Sequence, residues 1–435
     1  FTAAVIGNIL GYTAMKNVVM NMYYHSYSLP PYQTLWNGDA FILTTVIPCI
    51  IITLINLFVI AKALRLPPLQ FLRHDFHMKK KKKAAKLPNF RFLTRFRLRI
   101  ILQNIPSYII MVFGIMFAGL LLFFGLALNP LLENYKTEVV NNMICDYQYV
   151  LKAPVETSND AAEKFCMTTL YESNDEEISA YGIEEDSEYL SKVNVPKKKN
   201  EAVASQGYLE KYSLKVGDRV TLKDKYGENK YTFKIVGSYY YPASLCVFMS
   251  NDNFNEVFDK DDGYFTGYFS NEKLKDIDDK YIATTITQKD LTTVTDQLDD
   301  SMGMSFTLLV GFSVLIYIIL MYLLSKLVIE KNEQNISMLK ILGYSNREAS
   351  KLYNRATTVV TIGAILVSVP LIYYVFAGLY HYFMFEMKGW LPYVVPWYVF
   401  VEMAVIGIIC YAIIYFVLQK KINKIKLSQA LKSDD

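Results

Sequence analysis

Few of the residues that could carry chemistry stand in a pattern that would use them. The four histidines, His25, His74, His77 and His381, are scattered. Cys145, Cys166 and Cys246 follow no zinc-ligand spacing, and no Ser/His/Asp or Cys/His set is evident. The acidic clusters Asp175–Glu177 and Asp259–Asp262 read as solvated loops rather than calcium sites. The chain has no G-x-x-x-x-G-K-[ST], the loop whose backbone N–H groups cradle nucleotide phosphates. Catalysis therefore has no obvious seat, and no cofactor or metal is expected in this chain. Three cysteines in one block allow at most one bridge, and Cys145 with Cys166, the closest pair in sequence, is the expected one if a bridge forms. Cys49 and Cys410 fall inside apolar runs, where a thiol is a small apolar group.

One stretch is patterned for recognition instead. In EKNEQNISMLKILGYSNREA (Glu330–Ala349), Ile336, Leu339, Lys340 and Gly343 recur at helical spacing. Gly343 suits a left-handed helix stop, and Ser345-Asn346-Arg347-Glu348 has the S-x-x-E form of a capping box that starts a second helix. The segment carries a short apolar face of Ile336, Met338, Leu339, Ile341 and Leu342, with Glu330, Glu333 and Lys340 as a charged rim. Such a face either meets a partner or packs back on the chain's own basic helices; the pattern alone leaves both open.

The elements that hold this segment are apolar. Of 435 residues 52% are hydrophobic, yet 20% are charged, so the two kinds must be segregated. Runs near the ~20 residues that span a bilayer lie at about 1–22, 40–64, 107–129, 305–329, 357–382 and 396–418, predicting six membrane helices. The chain opens inside an apolar run without Met and without a signal-peptide pattern, so residue 1 is expected to be an artificial start of a longer protein.

Charge sets the expected topology. Residues 131–301 hold 32 of the 41 acids but 19 of the 45 Lys and Arg, a net charge of −13, and the remainder carries +17. The cations gather in Lys62–Arg99, Lys326–Arg355 and Lys420–Lys432, which the positive-inside rule puts in the cytoplasm, with the acidic block outside. Lys79–Lys83 sits beside a span, so attraction to anionic lipid is a simpler account than nucleic acid, and no nucleic-acid partner is expected. Phe90–Ser107 alternates Phe92, Phe96, Leu98 and Ile100 with arginines, as for a helix in the headgroup plane.

Within the acidic block, Arg219–Leu222 and Tyr231–Val236 predict strands joined by a turn at Lys225-Tyr226-Gly227. Leu131–Ile144 and Gln288–Met304 predict helices leading directly into spans, a two-helix stalk under an α/β domain. Ile60–Asp75 aligns with Gln419–Asp434 without gaps, matching Lys62 to Lys421, Gln70 to Gln429, Leu72 to Leu431 and Asp75 to Asp434. The expectation is a duplicated membrane domain whose first copy survives only in residues 1–75.

These features resemble the FtsX-like permease domain of bacterial ABC transporters, the group with MacB-like, lipoprotein-extraction and peptide-resistance permeases. The resemblance rests on Glu330, Glu333, Ile336, Leu339, Lys340, Leu342, Gly343, Ser345 and Glu348, on LKVGDRVTL (Leu214–Leu222) and FKIVGSYY (Phe233–Tyr240), and on the endings PLQFLR and LSQALK. Asn335 departs from the acidic residue common there. It implies a polytopic α-helical membrane protein with an inserted extracytoplasmic α/β domain. The layout is 1–75, end of a first repeat; 76–106, basic linker and interfacial helix; 107–130, first span of the second repeat; 131–304, stalk and α/β domain; 305–329, second span; 330–356, coupling loop; 357–382 and 396–418, last spans; and 419–435, cytoplasmic tail.

The resemblance further implies a permease subunit in the bacterial plasma membrane, not itself an enzyme, whose 330–356 loop docks on a cytoplasmic ATPase dimer. ATP and Mg would sit on that partner. Membrane lipids, a second permease copy or subunit, and an extracellular peptide or lipoprotein are the other implied contacts. The alternative is a membrane sensor or regulator of a histidine kinase or cell-wall hydrolase. A proton- or sodium-coupled carrier is disfavoured, because Lys16 and Glu402, ionisable residues within spans, both lie toward the outer ends.

Overall fold

The computed structural model describes residues 2–64 except 27, 28 and 34, residue 88, and residues 92–423 except 197. The basic run Lys79–Lys83, Lys197, and the aligned positions 65–75 and 424–434 lie outside the described residues.

Five helices among the described residues are long and apolar enough to cross a membrane: Gly38–Ala61, Ile105–Asn141, Ser305–Lys331, Asn346–Glu386 and Trp397–Asn423. The expected first span, about 1–22, is not among these five. Residues 2–26 are helical, as Thr2–Leu10 (α1), a π-helical turn Gly11–Met15 and Lys16–Ser26 (α2). Asn8, Lys16 and Asn17 interrupt the apolar run, so this rod falls short of the other five. After it come Gly38–Phe41 (α3), capped by the Asn37 side chain, a second π turn Ile42–Val46, and Ile47–Leu64 (α4).

Phe92–Gln103 (α5) leads through Asn104 into Ile105–Asn141 (α6), a 37-residue helix. Gln288–Lys331 (α9) has 44 residues and starts with a capping box between Thr287 and Asp290. At 1.5 Å per residue it is roughly 66 Å long, about twice the hydrocarbon thickness of a bilayer. Both helices thus continue well past their membrane-length segments without a break, and Lys136 on α6 pairs with Asp296 on α9 at 2.5 Å where they run on. The pair is half exposed and contributes little by itself.

Glu333–Ile341 (α10), Asn346–Glu386 (α11) and Trp397–Asn423 (α12) complete the bundle. Its core falls into two clusters. One, toward the inserted domain, sets Phe123 edge-on to Phe376 in a cluster with Ile372 and Met403. The other joins Ile100, Met111, Tyr317, Val328, Tyr353 and Ile422 at the opposite end. Outward-facing Phe113, Phe117, Leu315, Ile319, Val367 and Phe416 are exposed, as suits helices solvated by acyl chains.

Between α6 and α9 the chain builds a nine-stranded mixed sheet: Tyr147–Leu151 (β1), Glu163–Tyr171 (β2), Glu177–Ile183 (β3), Glu201–Ser205 (β4), Arg219–Lys223 (β5), Lys230–Tyr239 (β6), Cys246–Ser250 (β7), Gly267–Ser270 (β8) and Ile282–Thr287 (β9). The strand order is β3-β7-β4-β6-β5-β2-β8-β1-β9, and β2 also pairs with β3. Two short helices, Gln206–Tyr212 (α7) and Asn251–Val257 (α8), make it an α/β domain. The expected hairpin is β5–β6, antiparallel with Val220 opposite Phe233, and β5 alternates exposed and buried residues as a half-covered strand must.

The Cys145–Cys166 bridge does not form. Both are free, buried thiols, as is Cys246. Cys145 leads into β1 and Cys166 sits on β2, with β8 between those strands, so nearness in sequence is not nearness in space. Burial pushes each of the three thiols up to about 12. The folded domain therefore favours the neutral form, a contribution present below the ordinary thiol pKa of ~8.5 and lost as pH rises from there toward 12. Iodoacetamide at pH 8 is expected to leave these three unmodified until denaturant is added; rapid alkylation of any of them in the native chain would contradict this.

Candidate functional site

The patterned connection between α9 and α11 begins at Asn332. Its backbone leaves the helix at φ −108, ψ 10. Its side chain donates to the Val328 carbonyl at 2.7 Å, satisfying an acceptor that the break would otherwise orphan. Asn104, between α5 and α6, does the same: φ −111, ψ 16, with Nδ2 donating to the Ile100 carbonyl at 2.8 Å. The two buried amides face each other, Asn104 Nδ2 to Asn332 Oδ1 at 3.5 Å, so two neighbouring helices break at one level.

Gly343 ends α10 at φ +93, a conformation that a side chain with a Cβ resists. Its N–H donates to the Lys340 carbonyl and that of Tyr344 to the Leu339 carbonyl, both at 3.2 Å, the paired bonds that close a helix on glycine. Two residues on, Ser345 Oγ accepts from Glu348 N at 3.3 Å, while Glu348 Oε2 accepts from Ser345 N at 2.9 Å. This box satisfies two N–H groups that the start of α11 would otherwise leave to water. The chain is thereby forced through a tight reversal that presents α10 at the end of the bundle.

The apolar face of α10 is split rather than protruding as one. Ile336 is fully buried in the helical core, and Leu339 is half-buried against it. Met338, Ile341 and Leu342 point outward and are 54%, 51% and 69% exposed. The charged rim is also partly spent inside the chain. Glu330 accepts from Lys421 at 2.6 Å, and Lys340 Nζ donates to the Ile422 carbonyl at 2.9 Å, so α12 braces the segment. Burial lowers the Lys340 pKa below the ordinary lysine value. Glu333 lies in the first turn of α10, and Gly343, Ser345 and Glu348 are exposed.

Sequence reasoning missed the opposite wall. α5 packs on the bundle: Ile100 is buried there, and Phe96 meets Tyr353 edge-on with centroids 6.1 Å apart. Between α5, α10 and α11 opens a groove of about 260 Å³, lined by Phe96, Arg99, Gln103, Met338, Leu342 and Tyr353. The i, i+4 spacing of Phe96 and Ile100 was the available signal for an inward stripe. The groove's floor is apolar with one arginine, a lining of the kind found at contact surfaces.

Apolar helices with a mixed-sheet domain inserted between two of them define a polytopic membrane protein carrying an α/β insertion. Residues 307–427 match the family described as FtsX-like permease C-terminal, and this part of the chain is an FtsX-like permease domain. No curated protein matches the chain at a significant level.

Proposed function

We propose that the chain is the permease subunit of a bacterial ABC transporter. In this reading it transmits ATP-driven motion from a separate cytoplasmic ATPase dimer, which holds ATP and Mg, to the inserted domain outside the cell. The observation that carries it is continuity. The exposed Met338–Leu342 patch is one short break away from α9, and α9 runs unbroken to β9 of the inserted sheet. A push on α10 is delivered to Asn332 and then to a rigid rod that ends in the domain. The positive-inside distribution supports the basic end as cytoplasmic and the acidic insertion as external.

MacB-like, lipoprotein-extraction and peptide-resistance systems all suit this reading, with a lipid, peptide or lipoprotein as cargo and movement passed through α6 and α9 rather than through a channel. Affinity-tagged chain purified from its native membrane should bring down an ATP-binding subunit and stimulate its hydrolysis. Recovery of a histidine kinase or a cell-wall hydrolase without any ATPase would replace this reading with the sensor or regulator one.

A further inference from the structure

The inserted domain is held to the membrane helices at a second place, far from α6 and α9 in sequence. Lys211, on α7, is fully buried. Its ammonium has three N–H donors, and each has an acceptor: Glu176 Oε2 at 2.8 Å, the Met387 carbonyl at 2.6 Å and the Gly389 carbonyl at 2.9 Å. The Gly389 N–H returns a bond to Glu176 Oε1 at 2.7 Å. Beside this, Trp390 Nε1 donates to Glu210 Oε2 at 3.0 Å, and Tyr212 meets Phe385 edge-on at 5.7 Å.

The two carbonyls belong to the turn that follows α11, which ends at Glu386. A cation there satisfies carbonyls at the negative end of a helix dipole. The cation comes from the other domain, and its counter-charge Glu176 is 94% buried beside it. If the turn withdraws, the ion pair stays within the inserted domain, but Lys211 loses two of its three acceptors and Glu176 loses the Gly389 N–H. The seam combines these polar bonds with apolar contacts of Trp390 and Phe385, and next to it lies a cavity of about 150 Å³ walled by Gln206, Glu210, Leu245, Trp390, Pro392 and Tyr393. Water admitted there can take over hydrogen bonds in a way it cannot replace apolar packing, which makes the contact reversible.

We propose that Lys211 and Glu176 form a latch docking the inserted domain on the turn between α11 and α12, so that this domain reads the position of the last two membrane helices as well as of the two it grows from. The inference stands independently of any ATPase partner.

Hydrogen-exchange mass spectrometry on the full chain in lipid nanodiscs tests it. Lys211→Met keeps the aliphatic stem and removes the donors, and should speed exchange of residues 387–391 by about tenfold or more while β4 and β7 stay protected. Glu176→Gln, which keeps the side-chain shape and one acceptor oxygen but removes the charge and the second acceptor, should produce a smaller rise at the same residues. Unchanged exchange at 387–391 in both variants would overturn the latch. Loss of protection across β4 and β7 in both would overturn it too, assigning the pair to the sheet core instead.

Discussion

Leu342→Asp is expected to leave the membrane domain folded and to strip the chain of its ATPase, whereas Ile336→Asp is expected to damage the helical core itself. Leu342 is 69% exposed at the C-cap of α10, so a carboxylate there stays in water in the free chain. Docking would desolvate it without a partner. Loss of a central apolar anchor costs on the order of 2 kcal/mol or more, roughly thirtyfold in Kd, and the buried charge adds to this. Ile336, two turns earlier, has no exposure and belongs to the cluster that includes Val328, Ala349 and Tyr353. A carboxylate there has no water, and the cost falls on folding by about 3 kcal/mol or more. Leu339, half-buried on that same core, should affect both readings. Copurification and thermal melting of the solubilised chain separate the two effects. A Leu342→Asp chain that keeps its full complement of ATPase would mean the exposed face is not the docking face.

The other large effect belongs to Gly267→Ala, which should abolish the inserted domain while leaving the helices in place. Gly267 opens β8 between β1 and β2, opposite Val150 and Phe165. A Cβ on it would sit 1.9 Å from the Tyr149 carbonyl oxygen and 2.7 Å from Phe165 Cζ. A flexible side chain could yield; the backbone oxygen cannot move without breaking the ladder that joins β1 to β8. Overpacking of this kind in a rigid core costs at least ~3 kcal/mol, a large share of the ~5–15 kcal/mol that holds a domain together. Limited proteolysis of the membrane-embedded chain should then cut throughout 147–287 and spare α11 and α12. Wild-type resistance across the sheet would show that the strands have room to part.

Local signals in the sequence were faithful because the bonds they predict are local. Gly343 and the Ser345/Glu348 box act within five residues, and the structure has both in the expected form. The β5–β6 hairpin needs only its turn and its alternation. Helical periodicity at 131–144 and 288–304 likewise pointed to helices that run on past the apolar segments, and α6 and α9 do so. What the sequence hid is which face turns inward. The apolar residues of α10 are interleaved with Glu333, Gln334, Asn335, Ser337 and Lys340 around the helix, so its pattern does not separate Ile336 and Leu339 from Met338, Ile341 and Leu342. Long-range partners were equally hidden: Glu330 meets Lys421, Asn104 meets Asn332, and Glu176 and Lys211 meet Gly389. The first helical rod carries Asn8, Lys16 and Asn17 within its apolar run, which sets it apart from the five longer apolar helices.

Contact at position 342 decides whether α10 is the coupling element. A photo-crosslinking phenylalanine derivative placed there, in the full chain in its native membrane, should give a light-dependent adduct with a nucleotide-binding subunit. The same residue at Leu315, an exposed apolar position on α9 within the membrane-length segment, should give none. Adducts at 342 confined to the chain itself or to lipid, with the ATPase present in the same membranes, would contradict the coupling role.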